Sequence, residues 1–187
     1  MAGGESQRER ALIERFRRGD EDAFADLVRP WHRRLAGYLA RMCGDAANAD
    51  DLEQETLIRV WRGLQSYDDR KRFGSWLFTI AHHVTVDYLR CQARTPHHLA
   101  DLPDLAVRTD PSRELMAREL GQLLADAVEK LPEKQRRVFL LRQHGTLKFR
   151  EIAELTAEPL STVLGHMSYA TEKLQRIVRQ YHARGSD

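Results

Sequence analysis

The sequence predicts an all-α protein of two small helical domains joined by a flexible linker, the C-terminal one containing a helix-turn-helix. Three observations carry that expectation. Ala, Leu, Arg and Glu are abundant, and no stretch sustains the strict apolar/polar alternation of a half-buried strand. Apolar residues recur instead at three- and four-residue spacing over segments of helical length. Between residues 95 and 112 the period fails, and TPHHLADLPDLAVRTDPS holds Pro96, Pro103 and Pro111. The 187 residues suffice for two modest cores, which sets expected bounds of 1–94, 95–112 and 113–187.

Each element has its own signals. A first helix is expected over Arg8 to Arg17, ended by Gly19-Asp20. A second starts near Asp22, with Phe24, Leu27, Val28, Trp31, Leu35 and Leu39 at helical spacing, and Pro30 kinks or restarts it. Gly44-Asp45 closes that element. The next helix takes Asn48 or Asp50 as N-cap, places Asp51 and Glu53 in its first turn and runs to about Leu64. Ser66 to Asp69 reads as a turn, and a helix from about Phe73 to Arg94 follows. Beyond the linker, a helix covers about Arg113 to Lys130. Leu131-Pro132 breaks it, and Pro132 opens the next one, Glu133 to Gln143, which Gly145 caps. The last two helices are about Lys148 to Thr156 and Leu160 to His182.

Composition excludes several classes. Charged residues make up 31% of the chain but the net charge is only +2, so any nucleic-acid contact comes from local clusters rather than a basic coat. Two cysteines, Cys43 and Cys91, are too few for a disulfide scaffold and suit a reducing cytoplasm. No apolar run approaches the roughly 18 residues of a membrane span, and the charged N-terminus lacks a signal-peptide core. The expected location is cytoplasmic, without membrane insertion. His32, Cys43, Cys91, His97 and His98 have no metal-ligand spacing, and no nucleophile motif, phosphate loop or acid/base pair stands out. No metal, cofactor or catalytic residue is expected.

Three motifs carry functional chemistry. In FREIAELTAEPLSTVLGHM, Ile152, Ala153 and Leu155 lie on one helix and Val163 and Met167 on the next, the spacing of two short crossed helices. Spacing alone divides evenly between a DNA-reading helix-turn-helix and a plain hairpin. In the first case Ser161, Thr162, Leu164, Gly165 and His166 meet base edges. Nearby basic residues, among them Arg137, Lys148 and Lys173, favour that case by offering phosphate contacts. On the helix from Asp50, Asp51, Gln54 and Glu55 share one face while Leu57, Trp61 and Leu64 form an apolar stripe. The acidic face is either a solvated surface or a dock for a basic partner. From Lys71 to Arg94, the cations Lys71, Arg72, Arg90 and Arg94 flank aromatics, an arrangement that stacks unpaired bases and holds their backbone. Trp76 is expected to be mostly packed; His82, His83 and Tyr88 are the expected exposed contacts.

Taken together and in order, these residues resemble the extracytoplasmic-function (ECF) group of bacterial sigma factors, from about Asp20 to Tyr181. GDEDAFADLV resembles the start of the family's N-terminal domain, and DDLEQETLIRVW its polymerase-binding helix, with the D-L-x-Q-E kernel at Asp51, Leu52, Gln54 and Glu55. FGSWLFTIAHHVTVDYLR is similar to the F-x-x-W-L-x-x-I-A segment that opens and reads the −10 promoter element. LPEKQRRVFLLR with the helix-turn-helix resembles the domain that reads the −35 element.

The resemblance implies that Asp51, Gln54 and Glu55 dock on core RNA polymerase and that a flipped −10 base is captured near His82 and His83. It implies that Lys71, Arg72, Trp76, Tyr88, Arg90 and Arg94 complete the −10 surface. Arg137, Lys148, Ser161, Thr162, Leu164, Gly165, His166, Tyr169 and Lys173 would form the −35 surface. The implied partners are core RNA polymerase, promoter DNA and an anti-sigma factor. Polymerase does the chemistry.

This chain departs from the family pattern at marked places. His83 stands where many relatives have Asn. The recognition helix often reads T-V-K-S-R-L-x-R-A-R, and here it is T-V-L-G-H-M-S-Y-A-T, from Thr162 to Thr171, so guanine readout by Arg is weakened or retargeted. Ala157 replaces a common Gly, where a left-handed conformation costs about 1 kcal/mol, and Pro159 replaces a common Ser cap. Two other readings fit the residues: a DNA-binding regulator using only the C-terminal domain, and a scaffold that binds proteins alone.

Overall fold

The computed structural model describes residues 2–70, 72–92 and 111–184, and among them every regular element is helical. The N-terminal unit comprises α1 (Ala2–Arg17), α2 (Asp22–Val28), α3 (His32–Cys43), α4 (Ala46–Gly63) and α5 (Phe73–Gln92). The C-terminal unit comprises α6 (Pro111–Glu129), α7 (Glu133–Gln143), α8 (Phe149–Thr156) and α9 (Leu160–Arg184). Short 3₁₀ turns at Arg29–Trp31 and Leu64–Ser66 follow α2 and α4. The fold is all-α, in two helical units, as the periodicity requires. Residues 95–110 of the expected linker lie outside the described residues; its last two, Pro111 and Ser112, already belong to α6.

Pro30 acts as expected: it tightens the chain into a 3₁₀ turn that separates α2 from α3. Gly44 ends α3 in the left-handed conformation, φ 73°, with its N–H on the Ala40 carbonyl at 2.9 Å. The expected start of α4 is corrected. The helix begins at Ala46, because the Ala49 N–H already bonds the Asp45 carbonyl at 3.1 Å, and the Asn48 amide turns back onto the Asp45 carboxylate. Gly145 does not cap α7 through a left-handed turn. His144 follows α7 with φ −89° and it is Thr146 that takes a positive φ, 52°. Glycine is required at 145 for space, since a Cβ there would lie 2.8 Å from the Leu141 carbonyl and 2.9 Å from Phe78 Cβ.

That last contact joins the two units. Ile13, Leu35, Tyr38, Leu39, Leu64, Leu77 and Phe78 fill the first core; Val138, Leu141, Leu147, Ile152 and Val163 fill the second. The two are continuous where α3 meets α6 and α7. There the His144 ring rests against Gly37, and burial, with Arg41 and Arg34 nearby, lowers its pKa to about 4. Arg72 reaches across to Thr146, with its guanidinium 3.4 Å from the carbonyl and 3.3 Å from the hydroxyl.

Candidate nucleic-acid interface

On α4, Leu52, Thr56 and Val60 face the core, and the Thr56 hydroxyl is satisfied by the Leu52 carbonyl at 2.7 Å. The helix therefore turns Asp51 and Gln54 to solvent and leaves Glu55 half-exposed, so the three expected residues share one outer face. Glu55 is not alone there. Arg59 Nε donates to its Oε1 at 2.6 Å, and Arg59 Nη1 lies 3.7 Å from Asp87 Oδ2 on α5. At the flank, Glu53 meets His32 at 2.8 Å; burial pushes its carboxyl up, and His32 opposes the shift.

Where the end of α4 passes α5, the 3₁₀ turn leaves a cleft of about 400 Å³. Its walls are Gly63, Tyr67, Trp76 and Ile80, and its rim is Arg59, Ser66, Asp68 and His83. Trp76 lies against Gly63, whose missing Cβ would sit 3.0 Å from the indole. The Tyr67 ring stands 4.8 Å from Trp76. An aromatic wall under a rim bearing a carboxylate, an imidazole and a guanidinium suits one unstacked base: the wall stacks and the rim bonds its edge.

The expected −10 residues divide around this cleft. His83 is exposed at the rim, Trp76 is half-buried in the wall, and Arg90 is exposed further along α5. Tyr88 is half-buried and its hydroxyl accepts from the Gln92 amide. Lys71 and Arg94 lie outside the described residues. The expectation of an exposed His82 is corrected: its side chain is 4% exposed. It follows Phe78 by four residues and precedes Thr85 by three, which puts it on the buried stripe of α5. Tyr38 Oη and His82 Nδ1 lie 3.2 Å apart, and burial keeps that phenol protonated. Burial, with Arg137, His83 and Arg90 nearby, lowers the His82 pKa to about 4, so the ring is neutral.

In the C-terminal unit, Ile152 and Val163 are fully buried between α8 and α9. Ala157 occupies the turn with φ 53° and ψ 34°, the left-handed conformation that costs a side chain. The Lys148 N–H is capped by the Glu151 carboxylate at the start of α8. Ser161, Thr162, Leu164 and Tyr169 are exposed on the outer side of α9, as are Lys148 and Lys173 at its margins. The Lys173 ammonium bonds the Lys130 carbonyl at 2.9 Å.

His166 and Arg137 turn inward, with side chains 20% and 14% exposed. Both approach Glu158, at 3.6 and 3.9 Å, and Lys134 meets the same carboxylate at 2.9 Å. Burial opposes the charge on Glu158, but the bond and charge of Lys134, then His166 and Arg137, hold its pKa below the ordinary carboxylate range. Sequence reasoning missed this cluster, as well as Arg59, Tyr67 and Asp68 in the cleft. Glu158 collects partners from α7 and α9, and no one-dimensional spacing marks such a convergence.

Among the described residues no three His, Cys, Asp or Glu side chains form a metal-ligating group. No helix there is long and apolar enough to cross a membrane.

Two family models match the chain: "Sigma-70 region 2" over residues 27–95 and "Sigma-70, region 4" over residues 121–174. The first match contains α4, the cleft and α5; the second contains α7 and the helix-turn-helix. The ECF RNA polymerase sigma-E factor of Haemophilus influenzae is 29% identical over 181 residues, covering 91% of this chain and 95% of that one. The ECF RNA polymerase sigma factor SigW of Bacillus subtilis is 29% identical over 178 residues, covering 89% and 95%. Among solved structures, the sigma factor RpoE of Bartonella quintana, crystallised with the anti-sigma factor NepR, has a TM-score of 0.68 at 18% identity, covering 83% of this chain and 96% of that one. CnrH in complex with the cytosolic domain of CnrY has a TM-score of 0.63 at 22% identity, covering 92% and 98%. The order of the two matched regions and near full-length similarity to curated relatives agree with the geometry of both units: the chain belongs to the sigma-70 family, in its extracytoplasmic-function group.

Proposed function

We propose that this protein binds core RNA polymerase and directs it to promoters by recognising a −10 element with α4 and α5 and a −35 element with α8 and α9. The carrying observation is the pairing, within one unit, of the outward Asp51-Gln54-Glu55 face with the aromatic cleft of Trp76, Tyr67 and His83. The acidic face docks a basic surface of the polymerase. The cleft takes one flipped base, with Arg72, Tyr88 and Arg90 along the same strand, and buried His82 supports the wall rather than touching DNA. The domains are residues 1–94 and 111–187, the second beginning with α6 at Pro111, and the segment between them is the tether. No step of RNA synthesis falls to this chain. It acts in the cytoplasm, and an anti-sigma protein of the kind seen on the Bartonella factor holds it in reserve.

Loading requires a change of shape. Elements about 25 base pairs apart are separated by roughly 85 Å along B-DNA. The contacts Arg72–Thr146 and Gly37–His144 hold the two units side by side, and in this proposal they open on the polymerase so that each unit reaches its own element.

Run-off transcription with purified core polymerase tests the proposal. Discrete new start sites that depend on this protein are expected. The double variant Asp51→Arg, Glu55→Arg is expected to weaken core binding at least about 100-fold, since like charges then face each other, while thermal unfolding shifts only by the loss of the exposed Glu55–Arg59 pair, about 0.5 kcal/mol. Sequence-specific DNA binding without any binding to core would instead make the protein a regulator that does not direct polymerase.

A further inference from the structure

From Pro159 to Thr171 the chain has no Lys, Arg, Asp or Glu. His166 is therefore the sole potential cation in the first three turns of α9, and it is turned toward Glu158 at 3.6 Å. The same carboxylate, 12% exposed, draws in Lys134 at 2.9 Å and Arg137 at 3.9 Å. The cations nearest the start of α9 thus converge on the turn. What α9 presents outward is neutral. Ser161, Leu164, Gly165 and Ser168 form one row at three- and four-residue spacing, flanked by Leu160 and Tyr169. Leu160 is 37%, Leu164 44% and Tyr169 63% exposed. A Cβ at Gly165 would meet nothing within 4 Å, so the surface beside Leu164 is open.

The chemistry of this row differs from that of a guanine reader. Guanine is read by a forked cation at O6 and N7, thymine by alkyl contact with its 5-methyl group, and hydroxyls serve either base. An exposed leucine between hydroxyls, with the nearest cations drawn toward Glu158 rather than along the row, matches thymine. We propose that Leu164, with Leu160 at the entry and Ser161 and Thr162 beside it, reads thymine methyl groups. The −35 element of this protein is then rich in A·T pairs and selected without a guanine-reading cation. Exposed Lys148 and Arg150 on the first turn of α8 supply phosphate contacts that set register. This inference rests on the reading above, in which the start of α9 enters the major groove.

The test uses the holoenzyme of this chain with core polymerase and promoter DNA randomised across the −35 element beside a fixed −10 element. Enrichment of A·T pairs is expected. Replacing the selected thymines by deoxyuridine, which lacks only the methyl group, is expected to weaken binding about fourfold per contacted methyl. Leu164→Ala is expected to show the same loss on thymine DNA and none further on deoxyuridine DNA. Its side chain is exposed, so thermal unfolding should not move. Enriched guanine, or binding indifferent to deoxyuridine, overturns the inference. So does transcription set by the −10 element with no −35 enrichment, which would make this face of α9 a protein-docking surface. If the holoenzyme initiates nowhere, the sigma reading itself fails, and this inference with it.

Discussion

His82 on α5 and His166 on α9 both turn inward, but their surroundings are opposite. His82 lies in the apolar core of the N-terminal unit, against the Tyr38 phenol, and is held neutral by burial and nearby cations. His166 lies beside a carboxylate that also gathers Lys134 and Arg137. The first unit holds a neutral histidine in its core and arranges charged groups around a cleft. The second gathers charge at its turn and leaves the first three turns of α9 without Lys, Arg, Asp or Glu. Two units of one chain, each with basic residues in sequence, thus expose different chemistry. The second arrangement turns on the carboxylate of Glu158, which three basic side chains approach.

Removing that carboxylate breaks the comparison most strongly. Glu158→Gln removes the carboxylate that Lys134, Arg137 and His166 share, leaving only Glu133 beside Arg137, and is expected to destabilise the C-terminal unit by about 2–3 kcal/mol, toward the low end for an interrupted ion-pair cluster because the site is partly wet. Denaturant unfolding followed in the C-terminal unit checks the loss. The same variant should strengthen nonspecific DNA binding and steepen its salt dependence, because the cations are released.

Acid sharpens the comparison. His82 and His144 have folded pKa values of about 4, below the unfolded value near 6.5. Their contribution is fully present above pH 6.5 and is lost as pH falls toward 4, at up to about 1.4 kcal/mol per pH unit for each histidine. Glu158, whose folded pKa is depressed, contributes stability above its unfolded pKa that is lost only at lower pH. Hydrogen exchange from pH 7 to 4 should therefore loosen α3, α5 and their contact with α7 before the α8–α9 turn. Simultaneous loss in both units would contradict the contrast.

The smallest expected effect lies in the turn itself. Ala157 holds φ 53° at a steric cost that glycine avoids. Ala157→Gly also loosens the unfolded chain, so a net gain of about 0.5 kcal/mol is expected in thermal unfolding of the C-terminal unit, with the Glu158 cluster and the pH response unchanged.

Much of this molecule is legible in one dimension. Periodicity, the breaks at Pro30 and Pro132, and the stop at Gly44 determine the helices, because each acts on backbone geometry within a few residues. The outward face of Asp51, Gln54 and Glu55 follows as directly from the helical repeat. The start of α4 lies before the expected caps Asn48 and Asp50, because the Asp45 carbonyl already accepts from the Ala49 N–H. His82 marks a limit: a polar residue on an aromatic-rich helix reads as exposed until Tyr38, 44 positions earlier, is brought against it. The need for glycine at 145 also comes from neighbours brought close in space, Phe78 of the other unit among them. Whether a cation near α9 meets DNA or Glu158 is likewise a matter of distance between residues far apart in sequence. Local sterics and apolar spacing were thus set by the sequence alone. Burial, neutralisation and the contact between units were decided by the tertiary structure, because desolvation and charge pairing act through space and not along the chain.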